Sequence, residues 1–261
     1  MKHQDLKAFL DEKAEQYNHP DFIEHDPISL PHQFSKLQDI EIIGFWVAML
    51  SWGLRKTIIN KGNELLKLMD YAPYDFIVNH KESDRKRFLS FKHRTFNDVD
   101  TLYFLEFFQK YYASHDSLEE AFIFPVLDTA HQKYGLSLSH FHNNFFSLPD
   151  APQRTRKHVA NPAKKSTAKR INMFLRWMVR KDDKGVDFGL WHRISPAELM
   201  IPLDVHVYKV ATSLGLLKRK QTDWQSVMEL TDRLRTFDAA DPVKYDYALF
   251  GVGVMEKHSL P

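Results

Sequence analysis

The stretch STAKRINMFLRWMV, residues 166–179, decides the fold because a small polar loop runs directly into an amphipathic helix. Its apolar residues recur at helical spacing, which predicts one stripe packed into a core. This stripe comprises Ile171, Phe174, Leu175 and Met178. The sequence places Lys169, Arg176 and Arg180 on another face of the same helix. The interpretation is a core helix with a basic second face.

The region around this helix is strongly basic. Residues 151–181 contain ten lysines and arginines and no aspartate or glutamate. The loop NPAKKSTAKR, residues 161–170, leads into this helix. Its serine, threonine and lysine side chains are expected beside the free backbone N–H groups at the helix start. The positive end of the helix dipole and the free N–H donors both favour an anion at this position. Nucleic-acid phosphate is therefore the expected ligand. A solvated charged surface is the plainer alternative.

Composition predicts an all-α protein. The chain of 261 residues has only nine glycines, 20 phenylalanines and 43% hydrophobic residues, which favours helices around an aromatic core. It has no cysteine, which excludes disulfides and thiol chemistry. No apolar run approaches the roughly 20 residues of a bilayer span, and residues 1–17 form a charged amphipathic pattern that is not a signal peptide. We therefore expect a cytoplasmic protein with no membrane partner.

The pattern along the chain predicts about ten helices and no strand. A Pro-interrupted loop is expected over residues 19–34, and a break around Ser51 to Arg55 separates two apolar helices. Ser117 and Glu120 have capping-box spacing, which predicts a helix over 117–134. The predicted helices are 4–17, 39–50, 56–69, 97–113, 117–134, 137–148, 166–181, 195–200, 204–214, 222–236 and 242–257.

A second stretch, IPLDVHVYKVATSLG at residues 201–215, follows the basic helix. A loop-to-helix element with a lysine just inside the helix, followed by a Pro-x-Asp-Val-His helix start, resembles the core of the helix-hairpin-helix (HhH-GPD) DNA glycosylases of the 8-oxoguanine class. Asp204 follows Lys169 by 35 positions. This long gap is similar to that of the archaeal 8-oxoguanine glycosylase branch.

Two further segments carry the resemblance. DPVKYDYALFGVGV, residues 241–254, is similar to the helix that follows the catalytic aspartate in that branch, and AMLSWGLRKTIINKGNELL, residues 48–66, is placed like the superfamily's first core helices. The whole chain also resembles an uncharacterised bacterial family assigned to this superfamily. The resemblance implies one two-lobed all-α unit over 1–261. A central lobe spans about 40–200, with the hairpin near 160–181, and a second lobe comprises 1–39 and 201–261.

The hairpin of this sequence departs from the superfamily pattern. The family motif is Leu-Pro-Gly-x-Gly, whereas VANPAKKSTAKR, residues 159–170, contains no glycine. Glycines in the family motif permit positive φ and close approach to a phosphate. We expect the lysine side chains of this loop to replace that backbone contact.

The resemblance implies a base-excision repair glycosylase, a bifunctional N-glycosylase and AP lyase that acts on an oxidised purine such as 8-oxoguanine in duplex DNA. Lys169 is the nucleophile by this resemblance, attacking as a neutral amine, and Asp204 is the carboxylate that stabilises cationic character on the sugar. His206 contacts the backbone phosphate. The remaining expected DNA contacts are Arg154, Arg156, Lys157, Lys164, Lys165, Ser166, Thr167 and Arg170. This reaction needs no metal or cofactor, and we expect a monomer.

Plainer alternatives stay open. Asp204 alone is explained as a helix N-cap and Lys169 as a surface lysine. The chain could also be a non-catalytic nucleic-acid-binding protein on the glycosylase scaffold. The adjacent pairs His25-Asp26 and His115-Asp116 suggest a third class, a metal-dependent phosphohydrolase. The tryptophans Trp52, Trp177 and Trp191 are expected in the core rather than on a base.

Overall fold

The structure is a computed structural model, and it describes residues 3–123 and 130–256. The described part is helical, as the composition predicted, and its only β feature is an isolated bridge between His93 and Phe96. The α-helices are α1 (His3–Tyr17), α2 (Asp21–Glu24), α3 (Leu37–Leu50), α4 (Arg55–Leu68), α5 (Pro73–Asn79), α6 (Asp98–Tyr112), α7 (Ala130–Phe145), α8 (Lys169–Val179), α9 (Val205–Ser213), α10 (Trp224–Arg235) and α11 (Tyr245–Met255).

Short 3-10 helices fill several connections. They are Pro27–Ser29, Pro31–Gln33, Glu82–Phe88, Leu118–Phe122, Gln153–Lys157, Pro162–Lys164, Pro196–Glu198 and Pro242–Lys244. No described helix is long and apolar enough to cross a membrane.

The chain divides into two compact units. The first unit comprises residues 1–22, 124–139 and 161–261, and the second comprises 23–123 and 140–160. This division differs from the predicted lobes, because the basic helix belongs with the chain's two ends rather than with the region 40–160.

In the first unit, α1 and α9 both pack on α11. Glycines on α11 permit the close approach. A Cβ at Gly251 would lie 2.2 Å from the Tyr17 ring, and a Cβ at Gly253 would lie 3.0 Å from the Cβ of His206. The Gly-Val-Gly sequence near the end of the chain therefore sets the distance of α11 from α1 and from the start of α9.

In the second unit, α3 packs on α4 and α5, and α5 packs on α6. The predicted aromatic core lies here. The Phe45 ring contacts those of Phe104 and Phe145, with centroids 5.9 and 5.6 Å apart, and Trp46 is fully buried beside them. The predicted break between α3 and α4 is confirmed, since residues 51–54 are not helical.

The prediction of one helix over 117–134 is wrong. Ser117 does act as an N-cap and accepts a hydrogen bond from the Glu119 N–H group, but it caps a 3-10 helix that ends at Phe122. Ile123 then has extended backbone. Part of the predicted segment, residues 124–129, lies outside the described residues, and α7 merges the rest with the helix predicted over 137–148.

Candidate active site

Lys169 is the first residue of α8, and the loop before it has an unusual backbone. Ala168 and Lys165 have φ of +49° and +63°, in the left-handed region. That region costs a residue with a Cβ roughly 1–2 kcal/mol, which is why glycine is preferred there. The Ala168 N–H donates to Ser166 Oγ at 3.2 Å. The loop thus adopts the positive φ that glycines provide in the family hairpin, although it has none.

The Lys169 side chain is half-buried and forms no salt bridge within the described residues. Its Nζ lies 3.6 Å from the Met173 sulfur, one turn along α8. The basic residues nearest in sequence differ in exposure: Lys164 and Lys165 are exposed, and Arg170 is half-buried. Burial lowers the pKa of Arg170 to about 10, which leaves it charged at neutral pH.

Asp204 caps α9, as its position at a helix start suggested. Its Oδ1 accepts hydrogen bonds from the N–H groups of His206 and Val207, at 2.8 and 2.9 Å. Its Oδ2 accepts none from the part of the chain that the structure describes. The next residue, Val205, is 63% exposed, so this end of α9 reaches solvent. Capping therefore occupies one carboxylate oxygen and leaves the other available.

Asp246 on α11 is a buried carboxyl of the same unit. It is 5% exposed, and its Oδ2 accepts a hydrogen bond from Arg176 Nη1. Burial raises the pKa of Asp246 to about 6; the Arg176 guanidinium opposes this shift, the Asp204 carboxylate adds to it, and the Lys169 ammonium opposes it. Asp246 thus links α11 to α8 through its ion pair with Arg176.

His206 lies where α9 packs on α11. Its half-buried ring meets the edge of the Phe250 ring at a centroid distance of 6.2 Å, and its Cβ faces Gly253. Packing explains its position. Its phosphate contact remains an expectation from the resemblance.

The predicted basic face of α8 is wrong for Arg176. This residue is 4% exposed, not solvated. Its Nε donates to Asp187 at 3.2 Å, its Nη1 donates to Asp246, and its guanidinium stacks on the Tyr247 ring at 4.3 Å. The acidic partners come from a loop and from α11, so helical spacing alone could not reveal the pairing.

Arg180, one turn further along, is likewise 4% exposed. It donates to Asp182 at 2.6 Å, to Asp187 at 3.2 Å and to Asp241 at 2.8 Å. Together with Arg176 it forms a buried ion-pair network inside the first unit. Arg176 and Arg180, two of the ten basic residues of 151–181, are therefore structural. The positive charge that this region presents to solvent is smaller than the sequence suggested.

Three of the expected DNA contacts belong to the second unit, namely Arg154, Arg156 and Lys157. Arg154 pairs with the fully buried Asp100 at 2.9 Å and donates to the Thr95 carbonyl at 3.0 Å. The Arg156 guanidinium lies over the Phe146 ring at 4.8 Å. The Arg154 and Arg156 contacts stabilise the second unit and account for the two residues without DNA.

The other expected contacts belong to the first unit, with Lys169 and Asp204. Lys164 and Lys165 are exposed, while Ser166 and Thr167 are half-buried in the turn before α8. The Thr167 carbonyl accepts a hydrogen bond from Asn172 Nδ2 at 3.1 Å, which ties the loop to the first turns of the helix. The exposed surface of this loop is thus lysine.

Asp246 was not among the site residues expected from the sequence. The signal was present: an aspartate between two tyrosines, followed by the apolar residues Ala248, Leu249 and Phe250, is a candidate buried carboxyl. Its partner, Arg176, is 70 positions away in the sequence. The structure also buries Trp177 and Trp191, as expected, whereas Trp52 is half-exposed and stacks on His158 at 5.6 Å.

One residue of each histidine–aspartate pair, Asp26 and His115, makes a structural contact. Asp26 Oδ1 accepts a hydrogen bond from the Ile28 N–H at 3.1 Å, and His115 stacks on the Tyr111 ring at 4.2 Å. Over residues 3–123 and 130–256, no group of three or more histidine and acidic side chains is arranged to hold a metal ion. The phosphohydrolase hypothesis thus finds no ligand set there.

A family model described as "protein of unknown function (DUF2400)" matches residues 26–255. The chain belongs to the DUF2400 family. No curated protein and no solved structure matches it. The matched region includes Lys169, Asp204 and Asp246, so the candidate site lies within the part of the chain that defines the family.

Proposed function

We propose that this DUF2400 protein is a DNA glycosylase of the helix-hairpin-helix type that removes an oxidised purine such as 8-oxoguanine from duplex DNA. Lys169 is the nucleophile and Asp204 the stabilising carboxylate. The observation that carries the proposal is that Lys169 begins α8 and Asp204 caps α9, and that both helices contact one face of α11. The α8 contact is the Arg176–Asp246 ion pair, and the α9 contact is His206 against Gly253. The two-lobed glycosylase fold and action as a monomer are part of the same proposal.

The position of Lys169 suits nucleophilic attack. It follows a left-handed turn at a helix start, and no described carboxylate is paired with its amine. In the reaction, Nζ forms a bond to the sugar C1′ while the glycosidic bond breaks and the base departs with the bonding electrons and a proton. The amine loses its own proton, the sugar ring opens, and a Schiff base forms that permits elimination of the 3′ phosphate.

Asp204 suits the second role because its two oxygens are used differently. Oδ1 is held by the two N–H groups of α9, which fixes the orientation of the carboxylate. Oδ2 is then directed by that hydrogen bonding and can stabilise positive charge that develops on the sugar. The exposed Lys164 and Lys165 precede the site and can neutralise phosphates of a bound duplex.

Borohydride trapping tests the proposal. Duplexes with 8-oxoguanine or an abasic site are incubated with the protein and borohydride, which reduces a Schiff base to a stable covalent adduct. We expect an adduct with the wild type and with Lys181→Gln, which replaces an exposed lysine outside the expected DNA contacts, and none with Lys169→Gln. An adduct that persists in Lys169→Gln would overturn the proposal.

A non-catalytic DNA-binding protein is the second candidate. It is favoured by the capping role of Asp204, which explains that residue without chemistry, and by the glycine-free hairpin. This candidate predicts salt-sensitive duplex binding with no adduct on either substrate.

A further inference from the structure

Residues 207–222 form a second basic stretch, outside the expected DNA contacts. VYKVATSLGLLKRKQT contains four lysines and arginines and no aspartate or glutamate, in a chain that has 36 basic and 34 acidic residues. Such a stretch presents positive charge to solvent wherever its basic side chains are exposed. It comprises most of α9 and most of the loop that leads to α10, residues 214–223, which we call the α9–α10 loop.

The chain reverses its direction where α9 ends. Gly215 has φ of +69°, and the Leu216 N–H donates to the Ala211 carbonyl at 2.8 Å, five positions back. This is the hydrogen bond of a Schellman motif, in which a left-handed glycine ends the helix. Leu216 and Leu217 are then buried, at 3% and 1% exposure, and anchor the start of the α9–α10 loop in the core.

Hydrogen bonds to two helices fix the rest of the α9–α10 loop. The Tyr208 hydroxyl donates to the Lys220 carbonyl at 3.0 Å, so the loop lies beside the turn of α9 that also carries Lys209. The Lys218 N–H donates to the Glu229 carboxylate of α10 at 2.7 Å. The loop backbone is therefore held in place before any ligand binds.

Three exposed lysines lie on this fixed backbone. They are Lys209 of α9 and Lys218 and Lys220 of the loop, and together we call them the α9 lysine surface. Within residues 3–123 and 130–256, their ammonium groups form no salt bridge. Arg219, between the two loop lysines, is instead paired with Asp223 at 2.6 Å. The surface thus presents three ammonium groups, while its guanidinium is already engaged.

We propose that the α9 lysine surface binds phosphates of a DNA backbone and extends the DNA footprint of the protein along α9. Asp204 caps the start of this helix, and Lys209 follows it by five residues, roughly 8 Å along the helix axis. A duplex strand that passes Asp204 can therefore continue over the lysines. The inference rests on the proposed function for the choice of DNA as the nucleic acid.

The chemistry of this surface favours phosphate over the carboxylates of an acidic protein. Lysine ammonium groups bind phosphate as point charges from any direction, whereas carboxylates are bound best by the two parallel donors of a guanidinium. The guanidinium of the α9–α10 loop, that of Arg219, already pairs with Asp223 in this way through Nε and Nη2, at 2.9 and 2.6 Å.

The salt dependence of duplex binding tests the α9 lysine surface. Fluorescence anisotropy with the full-length protein and a duplex without a lesion gives the slope of log affinity against log salt. Replacing the three lysines together with glutamine should lower this slope by about three, one for each phosphate that is no longer neutralised. A normal slope in this variant, or a wild type that binds no duplex, would overturn the inference.

A matched variant controls for the loss of net charge. It replaces three exposed lysines of the second unit with glutamine, and these are Lys67, Lys81 and Lys86. This variant has the same net charge as the first one and should keep the slope of the wild type. An equal decrease in both variants would show that total charge, and not the α9 lysine surface, controls binding.

Lysine labelling of the wild type is a second test that does not depend on any variant folding. An amine-reactive ester is added with and without the duplex, and mass spectrometry gives the extent of labelling at each lysine. We expect the duplex to reduce labelling several-fold at the α9 lysine surface and to leave Lys67, Lys81 and Lys86 unchanged. Unchanged labelling of the α9 lysine surface in the bound protein would contradict the inference.

The same labelling distinguishes DNA from an acidic protein as the partner. Polyglutamate at the same concentration of negative charge should protect the α9 lysine surface much less than the duplex does, and equal protection would assign the surface to an acidic polypeptide. Failure of the proposed function is distinct, because it appears as protection by the duplex without a borohydride adduct. An adduct with unprotected lysines would overturn the inference alone.

Discussion

At the scale of single residues, Asp204 has an observed role in the fold, as the N-cap of α9, and a proposed role in the chemistry. Its Oδ1 caps α9 through two hydrogen bonds, and its Oδ2 stays open to a ligand. The cap and the charge can be separated because asparagine is as good an N-cap as aspartate.

We predict that Asp204→Asn keeps the stability of the protein within about 1 kcal/mol of the wild type but abolishes the borohydride adduct. Urea unfolding and trapping measure the two effects. Asp204→Ala should lose the adduct and about 1 kcal/mol as well. Asp223→Asn, at the N-cap of α10, is the control and should retain the adduct. Full trapping activity in Asp204→Asn would assign Asp204 to capping alone.

Asp246 also has a consequence for stability. Its pKa rises from 3.8 to about 6 on folding, so the folded state binds a proton that the unfolded state has already lost. The contribution of Asp246 to stability therefore increases as pH falls through about 6, and above that pH the ionised carboxyl costs up to about 3 kcal/mol.

We predict that Asp246→Asn lacks this pH-dependent contribution to the free energy of unfolding. The unfolding free energy of the wild type minus that of the variant should decrease by about 2–3 kcal/mol between about pH 4 and pH 6.5. Urea denaturation across this range measures it. Parallel curves for the two proteins would show that the carboxyl titrates normally in the folded state.

At the scale of elements, α8 shows where sequence patterns succeed and where they fail. Its apolar stripe was predicted correctly, since Ile171 and Phe174 are fully buried. Its arginines were assigned to the wrong environment because periodicity reports only one helix, while their partners come from a loop and from α11. The capping signal at Ser117 was real but local: it could not distinguish a 3-10 helix from an α-helix.

We predict that Arg176→Met destabilises the protein by about 3–5 kcal/mol, because it leaves Asp246 buried without its cation and removes one of the two arginines that pair with Asp187. Adding Asp246→Asn should recover part of this loss. Lys181→Met, on the exposed residue two positions after α8, should cost under about 0.5 kcal/mol. Urea unfolding compares the three. A cost for Arg176→Met as small as that for Lys181→Met would mean that the arginine is solvated.

At the scale of the whole molecule, the basic residues of 151–181 occupy three different environments. Arg176 and Arg180 are buried in ion pairs, Arg154 holds the buried Asp100 of the second unit, and Lys164 and Lys165 remain exposed. Net charge and sequence clustering could not distinguish these environments, because each environment depends on acidic partners that lie distant in the sequence.

Under the proposed function, the separation of these residues into ion-paired arginines and exposed lysines predicts which of them control DNA affinity. Replacing Lys164 and Lys165 together with glutamine should lower the slope of log affinity against log salt by about two, one for each phosphate that the protein no longer neutralises. Fluorescence anisotropy with a duplex at several salt concentrations measures this slope. Arg154→Gln should instead lower the Tm. A normal slope in the double variant would exclude this loop from DNA binding.

The candidate site could be predicted only in part. Two short motifs pointed to Lys169 and Asp204, and the structure places both in the first unit, at the starts of α8 and α9. Asp246 could not be assigned from the sequence because its significance depends on burial and on Arg176. The positive φ of Ala168 was also hidden, since an alanine gives no sequence signal for that conformation.

The most direct test of the central claim is to locate the DNA on the protein after borohydride trapping. The adduct formed on an abasic-site duplex is digested with nuclease and protease, and mass spectrometry identifies the modified residue. The proposed mechanism predicts a sugar remnant on Lys169 alone. A remnant on another residue, or no adduct under conditions where the duplex is bound, would contradict it.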